Sequence, residues 1–276
     1  MRIHVMYSGT TCVTGKALVR ELDHVINVLG LGGQRAIVTG GRQASRITPG
    51  LLVRWGNSDP VYESPAKEFN PAGAIHKSAD KLQMLKEFKM NHVACPNVWP
   101  SSEFRHIRWP VIVRGRYHCK GQQFYEANSN MELMQYANPQ YYACSIVDVA
   151  EEYRVFVFDT KVMEINKKTQ EGIVAHRRNA KIRNHDNGWV CRRGGFDVPE
   201  GVRSVARAAT MAVGLTLGAC DVYVDTQGRV GIFEVNSAPG LVTRKLRKLA
   251  LKIVNKYMQP IPDDAFMAAM SGITED

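Results

Sequence analysis

Three observations in this 276-residue chain predict an α/β protein with more than one lobe. The first is a short strand at residues 2–7, followed by residues 15–29, whose apolar side chains recur at helical spacing. The second is the apolar run 50–55, which has the character of a strand buried in a parallel sheet. The third is a pair of alternating segments, 220–225 and 230–236, joined by a turn sequence and typical of a β-hairpin. Together they indicate mixed helix and sheet, and 276 residues are enough for two domains or for three small lobes around one cleft.

The composition is that of an ordinary globular protein, with 45% hydrophobic and 22% charged residues. Six scattered cysteines without a C-x-x-C pair indicate reduced thiols, and the N-terminus lacks the apolar block of a signal peptide. We therefore expect a cytoplasmic protein. No apolar run approaches the roughly 18 residues needed to span a bilayer, so no membrane partner is expected. The net charge of +10 favours polyanionic partners, but it does not distinguish a nucleotide from a nucleic acid.

The middle of the chain predicts a helix and a small antiparallel sheet. Ser78 has the residue type of a helix N-cap, and apolar residues at helical spacing follow it. After this helix, we expect a strand at 110–114, a turn at 115–121, a returning strand at 122–127 and an apolar extended segment at 141–149.

The second half of the chain predicts a larger sheet with flanking helices. We expect a hairpin over 153–166, a strand region at 172–183 and a loop at 184–195. A long amphipathic helix follows at 199–214. After the 220–236 hairpin come a basic helix at 243–257 and a weakly tethered tail at 259–276.

The register of the last hairpin brings two carboxylates together. Counting outward from a two-residue turn at 227–228 places Tyr223 opposite Ile232 and Asp221 opposite Glu234. Two acids directly opposite each other on one face repel, and a divalent cation between them reverses the sign of that interaction. A surface hairpin with solvated acids is the alternative interpretation.

Asn236 extends this pair to three oxygen donors. It lies two residues beyond Glu234, on the same face, and Pro239 and Gly240 end the strand soon after it. Carboxylate and amide oxygens are ligands that Mg²⁺ prefers, and bound Mg²⁺ commonly keeps positions for substrate phosphate. The hairpin therefore predicts a magnesium site beside a nucleotide.

A second candidate segment is the turn at 115–121. It follows a strand that ends in Arg114, and Gly115 and Gly121 flank three basic residues. Such a turn is able to close over a triphosphate, and a plain basic loop is the alternative.

The order of the motifs resembles the ATP-grasp superfamily. The motifs are Asp80-Lys81-Leu82, the strand ending in Arg114 with its loop, the apolar segment, Glu152-Tyr153-Arg154-Val155, Arg193-Gly194-Gly195, and the run from Glu234 to Gly240. Within the superfamily, the chain resembles the ribosomal-S6-modification and glutathione-synthetase-like carboxylate–amine ligases. The resemblance covers about residues 76–245.

The resemblance implies an ATP-grasp fold with a nucleotide cleft between two lobes. Residues 1–75 are then the N-terminal pre-ATP-grasp α/β lobe. Residues 76–148 are the small lobe with the phosphate loop, and residues 149–276 are the large lobe with the metal site and the C-terminal helix.

The resemblance also implies roles for individual residues. For the nucleotide it implies Lys81, Arg114 in place of a second lysine, Gly121 of the phosphate loop, Val147 of the adenine hinge, Asp148 at the ribose and Lys168 at phosphate. For the metal it implies Asp221, Glu234 and Asn236. For the reacting groups it implies Arg154 at the phosphate or acyl phosphate, with Arg178 and Arg193 near the substrate.

The activity implied by the resemblance is an ATP- and Mg²⁺-dependent ligation through an acyl phosphate. We expect two Mg²⁺ ions, with Mn²⁺ as an alternative, and carboxylate and amine substrates that are small molecules or peptides. One alternative is a basic protein that binds nucleic acid or an acidic partner on the same frame. Another is a phosphotransferase that stops at the phosphorylated product.

Overall fold

The structure is a computed structural model that describes residues 1–9, 12–31, 37–41, 50–61, 65–107, 109–118, 121–171 and 182–271. Arg178 and most of the expected strand region 172–183 lie outside the described residues. The chain divides into two compact units, Met1–Ile75 with Ala238–Asp276 and His76–Ser237. None of the helices described has both the length and the apolar character needed to cross a bilayer.

The helices and strands are numbered in chain order. The described helices are α1 (Val13–Val28), α2 (Ala72–Ala79), α3 (Lys81–Met90), α4 (Asn130–Met134), α5 (Val202–Val213), α6 (Thr243–Tyr257) and α7 (Asp263–Met270). The described strands are β1 (Arg2–Tyr7), β2 (Ile37–Gly41), β3 (Gly50–Trp55), β4 (Lys67–Phe69), β5 (Val98–Pro100), β6 (Val111–Gly115), β7 (Phe124–Ala127), β8 (Tyr141–Ser145), β9 (Val149–Phe158), β10 (Lys161–Gln170), β11 (Trp189–Arg193), β12 (Leu217–Asp225) and β13 (Val230–Asn236).

The first unit contains a parallel sheet of order β2-β1-β3-β4. Helix α1 buries the apolar stripe predicted from its spacing, and it packs against α6 as well as the sheet. An ion pair of 2.7 Å between Arg247 and Glu21 joins the two helices. The predicted boundaries had grouped residues 238–276 with the large lobe, whereas α6 packs here on the N-terminal lobe. Helix α7 lies in the segment expected to be a tail.

The second unit contains two antiparallel sheets. The larger has the order β11-β10-β9-β12-β13, and the smaller has the order β5-β8-β6-β7. Helix α5 packs on β9, β12 and β13 through a face that includes Val202, Ala206, Ala209 and Val213. One face of the larger sheet is thereby covered by α5.

Two local predictions in this unit are corrected. Ser78 lies inside α2, and the residue that caps α3 is Asp80, whose side chain accepts a hydrogen bond of 3.2 Å from the Gln83 N–H. Strand β11 lies within the segment expected to be a loop. It forms because β10 continues beyond residue 166 to Gln170 and offers backbone groups for pairing.

The β12–β13 hairpin has a longer turn than predicted. The Asp225 N–H donates to the Arg229 carbonyl at 3.0 Å, so residues 226–228 form a three-residue loop. Tyr223 consequently pairs with Gly231 rather than with Ile232.

A bulge further along the hairpin restores the predicted pairing. Val222 pairs with Ile232, whereas Asp221 pairs with Glu234, which leaves Phe233 as the extra residue. Without this bulge, Phe233 would stand opposite Asp221. The predicted pairing of Asp221 with Glu234 is therefore confirmed.

Candidate active site

One row of side chains crosses the whole larger sheet. Directly paired positions on neighbouring strands project to the same face of a sheet. The row runs through Arg193 on β11, Asn166 on β10, Arg154 on β9, Asp221 on β12 and Glu234 on β13. The register thus brings four of the predicted site residues and one unpredicted residue, Asn166, onto one face.

Asp221 lies at the centre of an ion-pair cluster. Its Oδ1 accepts a hydrogen bond of 2.8 Å from Arg154 Nη1, and its Oδ2 accepts one of 3.2 Å from Lys168 Nζ. Burial is the largest effect on both cations and opposes their charges. The combined attraction of Asp221 and Glu234 for Arg154, and of Asp221 and Glu152 for Lys168, outweighs it and raises the pKa of both. Both side chains therefore stay charged next to the carboxylate.

Glu152 is a second buried acid in this cluster. It is 5% exposed, and its carboxylate forms an ion pair with Lys168. Burial raises the pKa of Glu152 against the opposing effect of Lys168. Glu152 is not among the predicted site residues, although its position two residues before Arg154 in the sequence indicates that it shares the same face.

Glu234 is paired with the first residue of α3. Lys81 Nζ lies 3.1 Å from Glu234 Oε2, and it also donates to the Ser78 carbonyl at 3.3 Å. The charge of Lys81 holds the pKa of Glu234 well below its usual range despite burial, and Arg154 acts in the same direction. The predicted nucleotide lysine and a predicted metal ligand therefore neutralise each other.

The third predicted metal ligand, Asn236, ends β13 and pairs with Ala219. The predicted set therefore consists of two carboxylates and one amide. In the parts of the chain that the structure describes, no three or more His, Cys, Asp and Glu side chains gather in a way that could hold a metal ion. The metal site stays a prediction.

Arg114 lies on the smaller sheet, where β6 pairs with both β7 and β8. Its guanidinium carbon lies 5.2 Å from the centroid of the Phe124 ring, and Nη2 donates to His118 Nδ1 at 2.8 Å. Arg114 Nε is buried and has no hydrogen-bond acceptor among the described residues. His118 is half-buried, and burial with the repulsion of Arg114 lowers its pKa to about 3.

The turn after β6 is attached to the start of α3. Arg116 forms an ion pair with Asp80, which is 3% exposed, and the Arg116 carbonyl accepts a hydrogen bond of 2.8 Å from the Lys81 N–H. Burial is the largest effect on Asp80 and opposes its charge, but the hydrogen bonds from Arg116, the Gln83 N–H and Tyr117, with the charge of Arg116, together outweigh it and lower the pKa of Asp80. The attachment was missed because it joins residues 36 positions apart.

Gly121, at the end of the same turn, has a φ of +77°. A Cβ atom there would lie 2.6 Å from Ile182 Cγ2, so this position requires glycine for both its backbone and its contact.

The predicted hinge lies between β8 and β9. Val147 is half-buried and Asp148 is exposed. Asp148 accepts two hydrogen bonds from Thr226, one at its carbonyl from the N–H at 2.9 Å and one at Oδ2 from the hydroxyl at 3.3 Å. Asp148 thus supports the turn of the β12–β13 hairpin, and its contact with ribose stays a prediction.

Arg193 ends the row on the opposite side from Glu234. Its Nε and Nη2 donate to the two oxygens of Glu164 at 2.9 and 2.8 Å, and the pair is exposed to solvent. Its contact with substrate stays a prediction, as does that of Arg178.

The fold is similar to that of solved ATP-grasp ligases. A D-alanine–D-alanine ligase from Bacillus anthracis, also solved with ATP, has a TM-score of 0.61 at 13% identity, over 98% of this chain and 97% of that ligase. The ATP-grasp ligase PsnB, in complex with a minimal precursor, Mg and ADP, has a TM-score of 0.58 at 12% identity, over 98% and 97% of the two chains. A RiPP-associated ATP-grasp ligase from Chryseobacterium gregarium, in complex with ADP and a leader and core peptide, has a TM-score of 0.62 at 10% identity, over 95% and 99%.

No family model and no curated protein sequence matches this chain. The predicted ATP-grasp fold is confirmed by the structural neighbours. At these identities the likeness concerns the fold.

Proposed function

We propose that this protein is an ATP-dependent carboxylate–amine ligase. The observation that carries the proposal is the cluster on the larger sheet, where Asp221 and Glu234 are paired with Lys81, Arg154 and Lys168. A site that positions phosphates and a metal ion needs cations for the phosphates and carboxylates for the metal ion. This cluster places both on one sheet of an ATP-grasp fold. The neighbours solved with ATP, or with Mg and ADP, are ligases, which supports the same reaction class.

The proposed metal ligands are the carboxylates of Asp221 and Glu234 and the amide oxygen of Asn236. These are hard oxygen donors and fit Mg²⁺, with Mn²⁺ as a substitute and two ions as the proposed number. When bound, the metal would neutralise charge on the phosphate oxygens during transfer. Lys81 and Lys168, released from the carboxylates, would then contact phosphate.

In the proposed reaction, an oxygen of the substrate carboxylate attacks the γ-phosphorus of ATP, and the bond to ADP breaks. The amine nitrogen of the second substrate then attacks the carbonyl carbon of the acyl phosphate. The amine loses a proton, inorganic phosphate leaves, and an amide is formed. Arg154 and Arg114 would stabilise the charge that develops on the transferred group.

The remaining predicted residues complete the proposal. Val147 would contact adenine, and Asp148 would contact the ribose. The turn ending at Gly121 would contact the phosphates. The acid and the amine, as small molecules or peptides, would lie along the row beyond Arg154, towards Asn166 and Arg193, with Arg178 nearby.

The test is ADP release with candidate pairs of acid and amine. Glu234→Gln keeps the size of the side chain and removes its charge, so we expect turnover to fall by about 100-fold. Glu200→Gln changes an exposed acid before α5 and should leave turnover unchanged. Equal ADP release by wild type and Glu234→Gln would refute the site.

The mass of the product distinguishes the alternatives. An amide supports ligation, whereas a phosphorylated acid without amide supports a phosphotransferase. Absence of ADP release with every pair, together with salt-dependent binding of nonspecific DNA, would support a nucleic-acid-binding protein instead.

A further inference from the structure

The turn after β6 is fixed in place by backbone bonds as well as by the Asp80–Arg116 pair. The Arg116 N–H donates to the Gln140 carbonyl at 2.8 Å, and the Arg116 carbonyl accepts from the Lys81 N–H at the same distance. The resemblance to ATP-grasp proteins implies that this segment is the phosphate loop. Its described first half is attached to the start of α3 and to the segment before β8.

His118 is the residue of this turn that reaches back to β6. Its Nδ1 lies 2.8 Å from Arg114 Nη2, and its Nε2 lies 3.4 Å from the Tyr142 hydroxyl oxygen. A guanidinium only donates hydrogen bonds, so Nδ1 must be the acceptor. The neutral imidazole then carries its proton on Nε2, where it faces Tyr142. This tautomer is the one that allows both contacts.

The Arg114 guanidinium is therefore held from two directions. The face of the Phe124 ring lies on one side and His118 Nδ1 accepts from one nitrogen. Nε remains buried without an acceptor in the described chain. A free arginine side chain has large rotamer freedom, and these contacts remove most of it before a ligand arrives.

We propose that His118 is a positioning residue, whose Nδ1 orients the Arg114 guanidinium towards a nucleotide phosphate. The pair of Arg114 and His118 would then do what the lysine usual at this position does alone. A guanidinium requires this orientation because its donors are planar and directional, whereas an ammonium acts as a point charge. The inference rests on the proposed function in one respect, that the ligand is a nucleotide.

The test is ATP affinity in the presence of Mg²⁺, measured by calorimetry on the full chain. His118→Phe keeps an aromatic ring and removes the acceptor, and we expect ATP to bind about tenfold more weakly, the loss typical of one hydrogen bond to a charged group. His118→Asn places an amide oxygen near the position of Nδ1. It should restore affinity to within about threefold of wild type.

A double-mutant cycle separates orientation from general packing. Arg114→Lys cannot use the His118 acceptor in the same planar way, so His118→Phe should have no further effect on ATP affinity in that background. The affinity for adenosine, which has no phosphate, should be equal in wild type and His118→Phe. Additive losses in the cycle, or an equal loss for adenosine, would show that His118 only packs, and would overturn the inference.

The two proposals fail in different ways. If wild type binds ATP and His118→Phe binds it equally well, the role of His118 is wrong and the proposed function stands. If wild type binds no ATP, the proposed function is wrong and the role of His118 falls with it.

Discussion

At the scale of single residues, Asn166 is the most informative side chain that sequence reasoning missed. It is 1% exposed, and its Oδ1 has no hydrogen-bond partner within the described chain. A buried polar atom left unpaired costs about 1–3 kcal/mol. In the sequence, Asn166 stands among polar residues at the end of a predicted hairpin, where exposure is the ordinary expectation. Its burial depends on pairing with β9 and β11, which its local sequence does not specify.

We expect Asn166→Leu to separate stability from activity. Leucine has a similar volume and no unpaired oxygen, so the free energy of unfolding should stay equal or rise by about 1 kcal/mol. If the amide contacts substrate, as its place beside Arg154 in the row suggests, the rate of ADP release should fall at least about tenfold. Urea unfolding and the ADP assay measure the two effects.

Asn187→Leu is the matched control. Asn187 is also buried, but its side chain donates to the Ile182 carbonyl at 3.0 Å and to Asn184 Oδ1 at 2.7 Å. Its loss should lower the free energy of unfolding by roughly 2 kcal/mol. If Asn166→Leu destabilises the protein as much as Asn187→Leu does, Asn166 has a structural role.

At the scale of secondary-structure elements, the β12–β13 hairpin shows how far a sequence pattern reaches. Alternation and turn residues correctly predicted two strands and the pairing of Asp221 with Glu234. That pairing is observed because the longer turn and the bulge at Phe233 each shift the register by one residue in opposite directions. The two shifts therefore cancel. Neither feature is visible in the alternation, because both depend on how side chains pack across the hairpin.

The pairing of Tyr223 with Gly231 is one such packing feature. A Cβ at Gly231 would lie 2.3 Å from the Tyr223 hydroxyl oxygen and 2.4 Å from Cζ. We expect Gly231→Ala to displace the buried ring and to lower the free energy of unfolding by about 1–3 kcal/mol in urea titrations. With Tyr223→Ala already present, the same change should cost much less, because the clash is gone.

Gly73→Ala provides the control for this prediction. Gly73 lies in α2, and nothing lies within 4 Å of a Cβ built there. Alanine has the higher helix propensity, so this variant should be neutral or more stable by up to about 1 kcal/mol. Equal losses from Gly231→Ala with and without Tyr223 would contradict the packing argument.

Elements that were missed share one physical cause. Strand β11 is mostly exposed and ends in two arginines, and its pairing with β10 makes it a strand. Both Ser78 and Asp80 have cap-forming side chains, but Asp80 also receives the Arg116 guanidinium, which joins the helix start to a distant turn. Contacts between segments far apart in sequence determine that β11 is a strand and that Asp80 caps α3. Local propensity does not determine either.

At the scale of the whole molecule, the net charge of +10 is not what distinguishes the candidate site. The cluster contains Lys81, Arg154 and Lys168 against Glu152, Asp221 and Glu234, and so it is close to neutral by itself. The carboxylates proposed to bind the metal therefore form ion pairs with the cations proposed to bind phosphate. A metal ion alone would have to compete with the lysines and the arginine for the carboxylates.

These ion pairs predict that removing one lysine changes the affinities for Mn²⁺ and for ATP in opposite directions. Lys81→Met keeps much of the side-chain volume and frees Glu234 from its ion pair of 3.1 Å. Without nucleotide, Mn²⁺ should then bind about tenfold more tightly, because one competing cation is gone. ATP should bind at least about tenfold more weakly, because a phosphate contact is lost. Electron paramagnetic resonance of free Mn²⁺ and calorimetry with ATP measure the two constants.

Lys86→Met separates a local effect from a change in total charge. Lys86 is exposed on the same helix, α3, and the variant loses the same single charge. At moderate salt its distance from the cluster should leave both affinities within about twofold of wild type. If Lys81→Met weakens the binding of both Mn²⁺ and ATP, the ion pair of Lys81 with Glu234 stabilises the structure of the site and does not compete with the metal. If Lys86→Met reproduces the opposite shifts, the field of the whole basic molecule is responsible rather than the lysine at the start of α3.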